Sequence, residues 1–192
     1  MRDPYDPTSE VIVTRAGTGL PAGCQLTDVA GLITNFTDAF NAGDSARLPA
    51  FFASDGDQPP AFQWYAVTGA PKHGARPHFV ARERNQLLHY LDGRHRRGER
   101  LKPLVFDVGR SSSLPRSVGV VFALLRHADD LAGSGEMMLG KGEVDCQSQT
   151  IYVWAMGAVV GHRRTTLPGE ICPLPGDWSV RNPGVVACGR VA

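Results

Sequence analysis

The sequence predicts an α+β domain in which helices pack inside a strongly curved, mostly antiparallel sheet. Three observations lead there. Helical periodicity opens the body of the chain at Leu26 and returns from His78, and from Arg100 onward strand-like segments succeed one another. Helices first and a run of strands afterwards is the order of an α+β fold. Glycines interrupt one strand-like segment at Gly140 and Gly142, as bends in a curved sheet do.

The first helix is the best defined. Val29, Leu32, Ile33, Phe36 and Phe40 fall at i, i+3, i+4, i+7 and i+11, one apolar stripe at 3.6 residues per turn. Thr27 or Asp28 is placed to cap its start. Gly43 can take the positive φ that ends it, and Asp44 can cap the next helix. Leu48, Phe51 and Phe52 give that second, short helix its buried side, with Pro49 distorting it.

Phe62–Val67 reads as a strand, being aromatic and β-branched. Phe79, Val80, Glu83, Leu87, Leu88 and Leu91 suggest a second long helix starting at His78, with Pro77 in its first turn and Gly93 near its end. Arg100–Val108, Val118–Arg126, Glu136–Cys146 and Thr150–Met156 are the remaining strands. Residues 1–25 read as an extended arm, in which Val11, Ile12 and Val13 can add a short strand. Residues 26–157 form the domain, and 158–192, with four prolines, form a coil-rich tail.

The run Phe36-Thr37-Asp38-Ala39-Phe40-Asn41-Ala42-Gly43-Asp44, followed by Leu48 and Phe51-Phe52, resembles the opening of nuclear transport factor 2-like domains. That superfamily includes ketosteroid isomerases, polyketide cyclases, limonene epoxide hydrolases, scytalone dehydratases and many binding modules. The resemblance implies a cystatin-like cone, a curved sheet around helices with an apolar pocket. It implies no particular activity. In register from Asn41 to Asp44, the isomerases' oxyanion-hole tyrosine falls on Phe36 and their general-base aspartate on Pro60. Phenylalanine carries no hydroxyl and proline takes no proton, so steroid-isomerase chemistry is not expected. The epoxide hydrolases' two aspartates bridged by an arginine find the right residue types in Arg126-His127-Ala128-Asp129-Asp130 but not the tight spacing, so a solvated turn is expected there.

Strand alternation gives another set. Val118, Val120, Phe122, Leu124 and Arg126 share one face, Lys141, Glu143 and Asp145 share one face of the next strand, and Tyr152, Trp154 and Met156 share one face of the last. If these faces line the cone, Trp64, Arg126, Asp145 and Trp154 form a ligand-binding set for a small organic molecule. The plainer reading, preferred for the acidic strand, turns Lys141, Glu143 and Asp145 to solvent. His89 on the second helix and Asp57 after the first helices are the other acid–base candidates. No complete catalytic constellation appears: there is no GxSxG and no GxxxxGK[ST]. The function expected is therefore non-catalytic binding of a small apolar ligand or a partner protein. The alternative is a small hydrolase, dehydratase or isomerase.

Composition narrows the partners. Twenty basic residues against nineteen acidic ones leave a net charge of +1, which offers no long-range pull on nucleic acid or anionic membrane. The Arg94–Lys102 stretch lacks interleaved aromatics and reads as a solvated helix end. No apolar run reaches the roughly 20 residues of a membrane span. A homodimer through the open sheet face is the partner that the resemblance suggests. Four cysteines, Cys24, Cys146, Cys172 and Cys188, have no metal-ligand spacing, and no cofactor or metal is expected. Buried thiols or disulfides both remain open, the latter if the chain is exported with a leader that this sequence lacks, the former if it is cytoplasmic. Among disulfides Cys172–Cys188 is the first choice, closing a short loop in the tail.

Overall fold

The computed structural model describes residues 12–16, 19–53, 63–67, 78–111, 116–130 and 136–158. The elements are β1 (Ile12–Ala16), α1 (Leu26–Ala42), a 3₁₀ turn (Leu48–Phe51), β2 (Gln63–Val67), β3 (His78–Ala81), α2 (Arg84–Arg96), β4 (Arg100–Arg110), β5 (Ser117–His127), β6 (Glu136–Asp145) and β7 (Thr150–Ala158). One seven-stranded sheet runs in the order β1-β4-β5-β6-β7-β2-β3. Its centre, β4 to β7, is antiparallel throughout. Parallel pairings join β1 to β4 and β2 to β7. The expected arm thus supplies an edge strand.

Helix α1 lies on the concave face, and the five residues of its predicted stripe are all buried. Its start differs from expectation: Gln25 occupies the cap position without a side-chain hydrogen bond. Thr27 and Asp28 fall inside the first turn, where Asp28 favours the positive end of the helix dipole. The other end is as expected. Gly43 is left-handed at φ 69°, and its N–H reaches the carbonyls of Ala39 and Phe40. The Asp44 carboxylate then accepts from the Arg47 N–H at 3.1 Å. Just before this corner, the Asn41 side chain bonds both backbone groups of Leu101, donating at 2.7 Å and accepting at 2.8 Å, which ties α1 to the start of β4.

The helix expected from His78 divides into a strand and a helix. His78–Ala81 pairs with β2, because Phe79 and Val80 are residues a pleated edge suits better than a helix. The helix starts only at Arg84 and continues through Gly93 to Arg96. Phe79 still meets it, stacked on Tyr90 with ring centroids 4.0 Å apart.

The glycines of β6 make room for rings. Gly140 pairs with Phe122 and Gly142 with Trp154. A Cβ on Gly140 would lie 2.1 Å from Phe122 Cζ, and one on Gly142 2.8 Å from the Val153 carbonyl. Register shifts between Pro103 and Val105 and between Glu143 and Val144 bend the sheet around this interior.

Cys24 and Cys146 form a disulfide with Cα atoms 5.3 Å apart, joining the residue before the α1 cap to the β6–β7 turn. Cys172 and Cys188, and the rest of the expected tail from Val159, lie outside the described residues.

Candidate functional site

The concave face carries an aromatic cluster. The Trp154 indole stacks on Phe122 at 4.1 Å and takes Phe36 edge-on at 5.7 Å. Phe36 in turn meets Phe52 at 5.2 Å and Phe40 at 6.5 Å. All five are at most 1% exposed. Each comes from a different constraint: Phe36 and Phe40 from the α1 stripe, Phe52 from the end of the 3₁₀ turn, Phe122 and Trp154 from strand alternation. The 3₁₀ turn is held there because the Ala53 N–H donates to the Ile151 carbonyl of β7 at 3.1 Å.

A buried ion network joins α2, the residue before β4, and β5. Arg126 donates from Nε to Glu99 Oε1 at 2.8 Å and from Nη2 to Oε2 at 2.7 Å. Arg94 donates from Nε to the same Oε2. Its Nη1 and Nη2 bridge to Asp130 at 2.7 and 2.8 Å. Arg94, Glu99 and Arg126 are each no more than 3% exposed, whereas Asp130 is partly exposed and also accepts from Arg97. Burial opposes the charge on Arg94, but the bonds to Asp130 and Glu99 outweigh it and hold the guanidinium protonated. The Arg94 bonds hold the Asp130 carboxyl below the usual carboxylate range. Tyr90, beside Arg126, is pushed up by burial and then by the Glu99 charge. Arg126 Nη1 has no hydrogen bond of regular geometry.

A shallow cleft opens where the ends of α1 and α2 meet, lined by Phe40, Leu48, Leu88, Leu91, Asp92 and His95. The Arg100 guanidinium reaches His95 Nδ1 at 3.3 Å. Gly43 packs against that ring, where a Cβ would lie 2.5 Å from Nε2. Among the described residues no group of three or more His, Cys, Asp or Glu could hold a metal ion, and no helix is long and apolar enough to cross a membrane.

The arrangement of helices within this sheet recurs in solved structures. A protein with a cystatin-like fold from Caulobacter vibrioides matches at TM-score 0.52 and 13% identity, over 69% of this chain and 88% of that one. A candidate dehydratase of the NTF2-like family from Streptomyces avermitilis matches at TM-score 0.52 and 14% identity, over 71% of this chain and 96% of that one. This chain has the nuclear transport factor 2-like fold. At such identities the likeness concerns the fold alone. No protein-family model matches the sequence, and no curated protein does.

Within this fold the four expected ligand-binding residues take different positions. Arg126 and Trp154 are buried on the concave side, as alternation predicts. Trp64 is described by its backbone, which registers with Trp154 and Ala81. Asp145 stands at the far end of β6, paired with Ser117 and Thr150. Nine positions along β5 separate Ser117 from Arg126, about 30 Å of strand. Asp145 instead accepts from the Gln147 and Ser148 N–H groups of its own turn, at 2.8 and 3.1 Å. The partner of Arg126 is therefore Glu99, not Asp145. Lys141 shares the face of Asp145, opposite to the buried Met138, Gly142 and Val144, and its strand partners are Val121 and Ala155. Tyr152 does not share the inward face of Trp154. The register shift opposite Glu143 and Val144 turns it toward Glu143 and Ser117, where burial pushes its phenol up.

His89 is exposed, while Asp57 and Pro60 lie outside the described residues. The Arg94–Lys102 stretch is not simply a solvated helix end. Arg94 and Glu99 are buried in the network, and the turn at Asp129 and Asp130 closes onto Arg94 and Arg97. Arg94 stands at i+7 from Leu87 and i+3 from Leu91, on the buried stripe of α2. That spacing is the signal the sequence offers. Nothing in the linear sequence names Glu99 as the carboxylate that meets two guanidiniums.

Proposed function

We propose that this chain is a non-catalytic NTF2-like domain that works by binding a partner protein on the convex face of its sheet, with a second copy of itself as the simplest partner. The observation that carries the reading is the seat of Trp154, between Phe122 and Phe36 with Phe52 behind. The part of the concave face that carries Trp154 is filled by the protein's own rings. The one carboxylate deep in that interior among the described residues, Glu99, already accepts from three guanidinium N–H groups, which leaves it poorly placed to take a proton from a substrate. That weighs against the hydrolase, dehydratase or isomerase alternative.

The convex face supports binding. Leu139 is 45% exposed there, flanked in register by Ala123 and Gly157. Val121, Leu125, Val153 and Ala155 surround it half-buried. Lys141 and Glu143 come next on the same face of β6, so a two-fold axis can set each against the other's partner in a second copy. Sedimentation velocity at micromolar concentration tests this. Wild type is expected to dimerise, and Leu139→Glu to sediment with a lower average mass at the same concentration because the convex-face contact is lost. Identical monomers for both would overturn the dimer.

A small-ligand reading keeps one specific support, the buried Arg126 Nη1 without a regular hydrogen bond. An apolar acid reaching it would pair with that nitrogen.

A further inference from the structure

The edge of β4 is covered in a particular way. At Leu101 both backbone groups are taken by the Asn41 side chain. Two residues on, Pro103 has no N–H to offer a neighbouring strand. From Val105 to Val108 the edge is open to pairing, and there β1 lies in parallel, Ile12 against Val105 and Ala16 against Val108. In the sheet β1 has β4 as its sole neighbour among the described strands.

Glycines stand between β1 and the disulfide. Seven residues separate Ala16 from Cys24, of which Leu20 packs against the core and Pro21 accepts from the Cys24 N–H. Gly19 and Gly23 adopt positive φ, 79° and 85°, and a Cβ on either would meet nothing within 4 Å. Glycine takes those angles without steric cost. Cys24 is fixed beyond them by its disulfide to Cys146 and by its N–H to the Pro21 carbonyl at 3.0 Å. The anchor at Cys24 therefore does not depend on which copy's β4 the strand pairs with.

We propose that Ile12–Ala16 is an exchangeable strand that docks on the β4 edge of a second copy of this chain. The same strand pairing forms within one chain or between two, so exchange loses no ladder hydrogen bond, and a short tether favours it over a long one.

Cross-linking between single variants tests this in the full chain. Arg15 registers with Asp107, and registered Cα atoms lie within disulfide range. Arg15→Cys and Asp107→Cys are made in separate chains, both carrying Leu139→Glu so that association through the convex face does not contribute. The two are mixed in a glutathione buffer and mapped by peptide mass spectrometry. A 15–107 bond between chains, its fraction rising with protein concentration, is the expected result. A bond formed within the double variant but not between the singles would confine the arm to its own chain and overturn the proposal. The pair Ile12→Cys and Val105→Cys repeats the test in case Asp107→Cys perturbs the strand. No bond with either pair, even in the double variants, would remove β1 from this edge and overturn the proposal as well.

Discussion

Arg126 and Glu99 form a doubly hydrogen-bonded pair at 2.8 and 2.7 Å, with the arginine fully buried and the glutamate 2% exposed. A second guanidinium, Arg94, shares the same carboxylate. Two buried cations thus share one anion, and removing it strands Arg126 while leaving Arg94 only its bonds to Asp130. Glu99→Gln is expected to cost about 3–5 kcal/mol in a urea titration, while replacing Arg94, Glu99 and Arg126 together with Met, Leu and Met costs less than the single change. A loss under about 1 kcal/mol for Glu99→Gln would show that the network contributes little to folding.

Asp130 gives this network a pH dependence. Its pKa is held below the ordinary value of 3.8, chiefly by the Arg94 hydrogen bonds. A depressed carboxylate contributes stability that is complete above its unfolded pKa and disappears as pH falls through the folded one. Asp130→Asn should therefore destabilise the protein at about pH 5 and make little difference near about pH 2. Thermal melts of the two proteins across that range check the sign. A deficit that grows toward low pH would contradict it.

The fold is more legible in the sequence than the network is, for reasons specific to each residue. Phe36 and Phe40 repeat with helical period and end up buried together, because a stripe of that length has one way to leave water. Phe79 and Val80 fit a helical stripe as well as a strand, and the β2 pairing that decides between them is a contact across sequence. Alternation places Arg126 on the inner face. It does not supply the partner, since Glu99 sits just before β4 and reaches Arg126 only once β4 and β5 pair. Asp145 satisfies the same alternation argument as a candidate, but its β-turn claims its oxygen.

Reduction should weaken the domain. The Cys24–Cys146 bond joins positions 122 residues apart, and a crosslink of that length restricts the unfolded chain strongly. Cys24→Ser with Cys146→Ser is expected to lose roughly 2–5 kcal/mol. Tryptic peptides of untreated protein should show the 24–146 linkage. Alkylation of both thiols without reductant would exclude it.

Gly140 should tolerate no side chain. The Cβ of Gly140→Ala would meet Phe122 and the Ala155 carbonyl, at 2.1 and 2.6 Å, and Phe122 cannot retreat without leaving the Trp154 stack. A cost of about 1–3 kcal/mol is expected, as for other overpacked cores, together with a changed near-ultraviolet circular dichroism signal. Unaltered stability and spectrum would mean that the interior yields more easily than its packing indicates.

Trp154 itself reports whether the region around it is filled. In a variant carrying Trp64→Phe and Trp178→Phe it is the sole tryptophan of the three in the chain, and its emission can be monitored while decanoate, an apolar acid, is titrated in. A ring already stacked on Phe122 and Phe36 predicts emission that stays constant up to the solubility of the acid. A saturable shift, lost when Arg126→Gln is added, would place a ligand between the rings and the arginine and contradict the reading of a domain that binds through its surface.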